Sequence, residues 1–226
     1  MSELGLRETK KRETRQHISD TATRMFIEYG FDHVRVSDVA EKCGVSEKTV
    51  FNYFPTKESL VLDQVDPMIE RLRERLGPGA EDAPTDAMTD LVDETVEMLI
   101  KNGLGQSEME PLMHKFMAMV NSTPALTAAR DAATKRLIDT AVETLAARYD
   151  RETDDAEIRV IAIALVGFWD AGRIRAVHHA RAGKSPTEIR TLTRKDMAKA
   201  AKLIHNGLDG AFMGGTPKPR KSSRTK

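Results

Sequence analysis

This sequence has a single cysteine, few aromatics at 5%, no net charge and no long apolar run. One thiol cannot staple a disulfide scaffold within the chain. The longest strongly apolar stretch without a charge, Val160 to Trp169, has ten residues, about half of the ~20 needed to span a bilayer, so no membrane partner is expected. The first sixteen residues, MSELGLRETKKRETRQ, have no apolar stretch behind their basic side chains, so no secretory signal is expected. Together these absences point to an intracellular, cytoplasmic protein.

Catalytic signatures are equally scarce. There is no glycine-rich phosphate loop, no G-x-S-x-G elbow and no Cys/His spacing of a metal or nucleophile site. Glu110 and His114 stand at i and i+4 and His178-His179 are adjacent, but no third ligand follows at metal spacing, and neighbouring residues on a helix point to different faces. The expectation is no enzyme, no metal and no cofactor.

What is present is charge, unevenly placed. Lys and Arg number 35 and Asp and Glu 35, a zero sum that by itself argues against a nucleic-acid binder. The last nine residues hold five basic and no acidic side chains, leaving the rest of the chain at net −5. Within that remainder, residues 7–15 carry net +3 from Arg7, Lys10, Lys11, Arg12 and Arg15 against Glu8 and Glu13. Positive charge is concentrated at the two ends.

Apolar spacing is helical throughout, and no segment alternates cleanly enough for a strand, so the expected class is all-α. Ile18, Ala22, Met25, Phe26 and Tyr29 form one stripe of a helix from about Arg7 to Tyr29, stopped by Gly30. Val36, Val39, Ala40 and Cys43 mark a second helix ended by Gly44; Ser46 caps a short third containing Val50 and Phe54, ended by Pro55. A fourth is expected from Pro55 or Thr56 to Leu76, where Asp66-Pro67 either kinks it or starts a new helix. After the Gly- and Pro-rich loop at 77–86, further helices are expected near 86–101, 106–120, 124–149, 155–182 and 192–212. The segment Val160 to Trp169 is apolar all round, fit for a domain centre or a subunit interface. The organisation expected is a head at 1–62, a larger helical domain at 63–213 and a disordered basic tail at 214–226.

Residues 36–54 read helix, Gly-containing turn, short polar helix. This is either a DNA-binding helix-turn-helix or an ordinary αα corner with a solvated face. If Val50 and Phe54 point inward, Lys48, Thr49, Asn52 and Tyr53 point outward. Lys48 can donate to guanine O6 or N7, Asn52 can pair with adenine N6 and N7, and Thr49 and Tyr53 can bond phosphates. Lys57 follows, near helix N–H groups that could also hold a phosphate.

GVSEKTVFNYFPTKESL, with Phe31, Val36, Val39 and Ala40, resembles the DNA-binding domain of the TetR family of bacterial repressors over about residues 10–62. The resemblance implies a three-helix head that binds double-stranded operator DNA, a helical ligand-binding domain, and a homodimer formed through the two last long helices. It places Ser46 and Phe51 on the DNA-facing helix as well. Phe51 stands where the family usually has Tyr, which removes a hydroxyl that could reach a phosphate. Arg35 stands where a capping Thr or Ser is common, and a phosphate contact by Arg35 is expected in its place. Cys43 is either an inert core thiol or a redox sensor, and the basic stretch at 7–15 either tracks DNA or is a solvated helix start.

Met109, Met113 and Met117 recur at i, i+4 and i+8 beside Phe116. Such a stripe is either core or the adaptable lining of an apolar pocket. The segments LMHKFMAMVNSTPAL and AALVGFWDAGRIRAVHHA resemble the mycofactocin-regulator branch of actinobacterial regulators, which implies an acyl-CoA-like or other apolar small-molecule effector. Trp169 would supply an apolar wall and Arg173 would meet an anionic group, unless Arg173 pairs with a nearby acid. The function expected is a ligand-released transcriptional repressor. The alternatives are an activator or co-repressor-dependent regulator, and a helical small-molecule-binding protein or enzyme with an idle helix-turn-helix.

Overall fold

Helical spacing of apolar residues becomes helices nearly everywhere. The computed structural model describes the backbone of residues 3–106 and 108–212, and within them the side chains of residues 9–106, 108–109 and 111–205. The expected basic tail lies outside the described residues. In chain order the helices are α1 (Glu3–Tyr29), α2 (Val36–Cys43), α3 (Glu47–Tyr53), α4 (Val65–Leu76), α5 (Pro84–Lys101), α6 (Glu110–Ser122), α7 (Pro124–Tyr149), α8 (Ala156–Arg181) and α9 (Pro186–Phe212). A 3₁₀ turn at Glu58–Leu60 precedes α4. Among the described residues there is no strand, and no helix is long and apolar enough to cross a membrane.

Two boundaries differ most from the sequence expectation. The fourth helix does not run from Thr56. Its first residues form the 3₁₀ turn, and α4 begins only at Val65. Pro67 therefore sits in the first turn, where its missing N–H has no intrahelical acceptor to lose, and it does not kink a longer helix. Helix α9 begins at Pro186, not near Leu192. There Ser185 and Glu188 cap reciprocally: the Ser185 N–H donates to the Glu188 carboxylate at 2.9 Å and the Glu188 N–H donates to Ser185 Oγ at 3.4 Å.

The chain divides into two compact units, one holding the residues up to Pro67 together with Pro111–Ala133, the other holding Met68–Glu110 and the residues from Thr134 onward. The division falls inside α4, after the first residue of α6, and inside α7. The first unit thus also holds α6 from Pro111 and the start of α7. Its core gathers Ile18, Ala22 and Phe26 of α1, Val39 and Ala40 of α2, Val50 and Phe54 of the α3 region, and Leu60, and it also includes Val120 and Leu126. Phe26 and Phe31 meet with ring centroids 5.0 Å apart and planes tilted by 55°, a favoured aromatic geometry.

The second unit packs α5, α8 and α9 together around fully buried Met88, Leu91, Leu145, Ile158 and Leu165. Gly172 permits the approach of α5 to α8, since a Cβ there would lie 2.5 Å from Val92 Cγ1. At the rim, Arg194 pairs with Asp93 at 2.7 Å and Arg190 with Glu97, tying α9 to α5. Asp196 of α9 takes Arg175 at 2.7 Å and His179 at 3.0 Å from α8. Arg175 beside it holds the Asp196 carboxyl below the usual carboxylate range.

Candidate nucleic-acid interface

Local chemistry marks the ends of the helices in the helix-turn-helix. Gly44 closes α2 in the left-handed conformation at φ 68°, which a residue with a Cβ adopts only at a cost. At the other end of α2, the Arg35 N–H donates to the Asp38 carboxylate at 2.8 Å, so the backbone of Arg35 does capping work while its side chain stays exposed. Ser46 caps α3 by accepting the Thr49 N–H at 3.0 Å, and the two hydroxyls lie 2.8 Å apart.

Val50 and Phe54 are 0% and 1% exposed, as the inward reading of α3 requires. Lys48 and Asn52 are exposed on the opposite side. Thr49 and Tyr53, expected to point outward with them, are half-buried: Thr49 is engaged with Ser46, and Tyr53 packs against the head core. In their place the ring of Phe51, 42% exposed, joins Lys48 and Asn52 on the open face. The signal for it was in the sequence, because Lys48, Phe51 and Asn52 fall at i, i+3 and i+4.

Lys57 is held by aromatic faces. Its ammonium lies 4.4 Å from the Phe31 ring centroid and 5.7 Å from that of Phe26, within cation–π range. The position is therefore specified, though the residue immediately precedes the 3₁₀ turn and stands at no α-helix start. Cys43 is half-buried against the head core.

Arg15 leaves the basic stretch of α1 for a structural task that sequence reasoning missed. Its guanidinium lies 4.5 Å over the Phe54 ring and donates to the Asp63 carbonyl at 3.0 Å. Ser19 Oγ donates to the Asp63 carboxylate at 2.9 Å. Together they clamp α1 to the segment that follows α3. Lys10, Lys11 and Arg12 are exposed on the same helix.

The residues proposed for effector binding do not fall in one unit. Met113, Phe116 and Met117 belong to the first unit, and Met109, Trp169 and Arg173 to the second. Phe116 packs against the head core, while Met113 and Met117 are half-buried. The Trp169 indole N–H donates to Thr95 Oγ1 at 2.8 Å, and Thr95 in turn donates to the Leu91 carbonyl at 2.7 Å. Arg173 pairs with Asp170 on its own helix at 2.7 Å, the neighbouring acid that the sequence left open as its partner.

Residues 18–63, which carry this geometry, match the family model of bacterial regulatory proteins, tetR family. This segment places the head, residues 18–63, in the TetR family. It is similar to the HTH-type transcriptional regulator EthR of Mycolicibacterium smegmatis, 35% identical over 66 residues that cover 29% of this chain and 30% of that one. The HTH-type transcriptional regulator TcmR of Streptomyces glaucescens is 28% identical over 153 residues, 67% of each chain. The match to EthR thus spans under a third of that relative's length. Among solved structures, native NalD, the secondary repressor of the MexAB-OprM multidrug efflux pump in Pseudomonas aeruginosa, shares the fold with TM-score 0.50 and 22% identity, covering 84% of this chain and 97% of that one. The TetR-family segment coincides with the core formed by α1, α2 and α3 together with Leu60.

Proposed function

We propose that the protein is a homodimeric, effector-responsive transcriptional repressor that reads double-stranded operator DNA through α3. The observation that carries this reading is the face of α3. Val50 and Phe54 anchor it inside, and Lys48, Phe51 and Asn52 are left open on a helix capped at its start, in a segment that matches the TetR family. Lys48 and Asn52 supply the donor and amide groups that discriminate base edges. Arg35, Ser46, Thr49, Tyr53 and Lys57 position the head on phosphates. A dimer would place its two α3 helices in successive major grooves, about 34–36 Å apart on a pseudo-palindromic site.

Support for the dimer comes from α8. Val160, Ile163 and Ile174 are 65%, 48% and 52% exposed, and Gly167 and Ala171 between them are exposed as well. The five lie at i, i+3, i+7, i+11 and i+14, an apolar stripe fit to meet a second copy.

Effector contact is assigned to Met109, Trp169 and Arg173 of the second unit, which suit an acyl-CoA-like or other apolar molecule with an anionic end. Release from DNA requires the effector to bind the DNA-free state more tightly, by about 1–3 kcal/mol for a typical coupling. The test is selection of binding sites from random duplexes by the full-length protein, followed by Asn52→Ala. The variant should keep its helical circular dichroism and lose sequence-specific binding. An unaltered sequence preference in Asn52→Ala would contradict the reading.

A further inference from the structure

A phenyl ring open to water on a surface helix gains nothing from its exposure, and Phe51 is 42% exposed. Its neighbours on that face are Lys48 and Asn52, both exposed. The setting differs from the aliphatic stripe of α8, because polar side chains suited to base edges flank a single apolar group. Phe51 carries no donor or acceptor, so it cannot make the phosphate hydrogen bond that a tyrosine hydroxyl would make. In the major groove the apolar feature that distinguishes one base from the others is the C5-methyl of thymine, and phenylalanine is one of the side chains that packs against it.

We infer that Phe51 is a specificity-determining residue that packs on the C5-methyl of a thymine in each operator half-site. The inference rests on the DNA-binding reading above and names the base feature that the exposed ring recognises. Lys48, one turn before Phe51, and Asn52, next to it, then read the polar edges of neighbouring base pairs, and the ring adds an apolar check between them.

The test uses the full-length protein and the sequence recovered by selection from random duplexes. Each thymine is replaced singly by deoxyuridine, which removes the methyl and leaves every hydrogen-bonding atom in place. At one thymine per half-site, affinity should fall about fourfold, the effect of one buried methyl-sized group. The same replacement should leave the affinity of Phe51→Ala unchanged. Phe51→Gln, a good helix former with a polar chain, serves in the same way if Phe51→Ala loses helicity. Tolerance of deoxyuridine at every position, or an equal loss in wild type and variant, overturns the inference and leaves the DNA-binding reading standing. A selection that yields no preferred sequence overturns both.

Discussion

Helices α3 and α8 both leave a face open, and the two faces have opposite chemistry. On α3 the open face carries Lys48, Asn52 and the Phe51 ring, with Glu47 exposed at its start, while Val50 is buried. On α8 the open stripe is Val160, Ile163, Gly167, Ala171 and Ile174, while Ile161, Leu165 and Phe168 are buried. Each helix spends one side on its own core, so its other side reports the partner. A face rich in donors and acceptors suits base edges and phosphates. A face of aliphatic and small residues suits another protein surface, and self-association is the reading that matches its length along a 26-residue helix.

The sharpest way to break this comparison is to put charge into the aliphatic face. Ile163→Asp should convert the dimer to monomer in sedimentation, and operator binding should weaken by about a hundredfold or more as the linked second head is lost. A dimer that survives the substitution would mean that the α8 stripe meets something else. Next in size is Asn52→Ala, with an expected loss of about 1–3 kcal/mol per half-site and no change in thermal midpoint.

Arg35→Ala sharpens the comparison from the DNA side. The side chain is exposed and only its backbone caps α2, so the helix should persist while the slope of log affinity against log salt becomes shallower by about one contact. An unchanged slope would remove Arg35 from the phosphate contacts. The smallest effect is expected at the start of α9. The Ser185 N–H, with the Ser185 hydroxyl and Lys184, draws the Glu188 carboxyl down to about 2. A folded-state value below the unfolded one, near 4.3, stabilises above that pH and is lost as pH falls through about 2. The difference in thermal midpoint between wild type and Glu188→Gln should therefore be present at pH 7 and shrink progressively below pH 4.5.

Legibility in the sequence followed the range of the interactions. The first two helices ended where Gly30 and Gly44 adopt positive φ, at 88° and 68°, and Ser46 capped α3 as its type suggested. These are local choices written in a few neighbouring residues. The start of α9 at Pro186 was also written locally, as a capping serine followed by proline, but its flanking Gly183 gave the segment the look of a break. Other features had no local signal. Val120 and Leu126 belong to the core of α1, α2 and α3 although they lie some sixty residues beyond Leu60 in the chain. Asp63 is clamped by Arg15 and Ser19 from 48 and 44 residues away. On α3, inward Val50 and Phe54 and outward Phe51 were legible from spacing, but the half-burial of Thr49 and Tyr53 depended on the Ser46 cap and on how the rest of the head packs against the helix.

The central claim, that α3 serves to read DNA, is tested most directly by the binding of the purified full-length protein to the DNA immediately upstream of its own gene. The assay carries excess random duplex as competitor and runs across a salt series. The account predicts a complex that survives the competitor, with log affinity falling linearly and steeply with log salt, and that loses its preference in Asn52→Ala. Equal affinity for upstream and random DNA, or a preference that Asn52→Ala leaves intact, would contradict it.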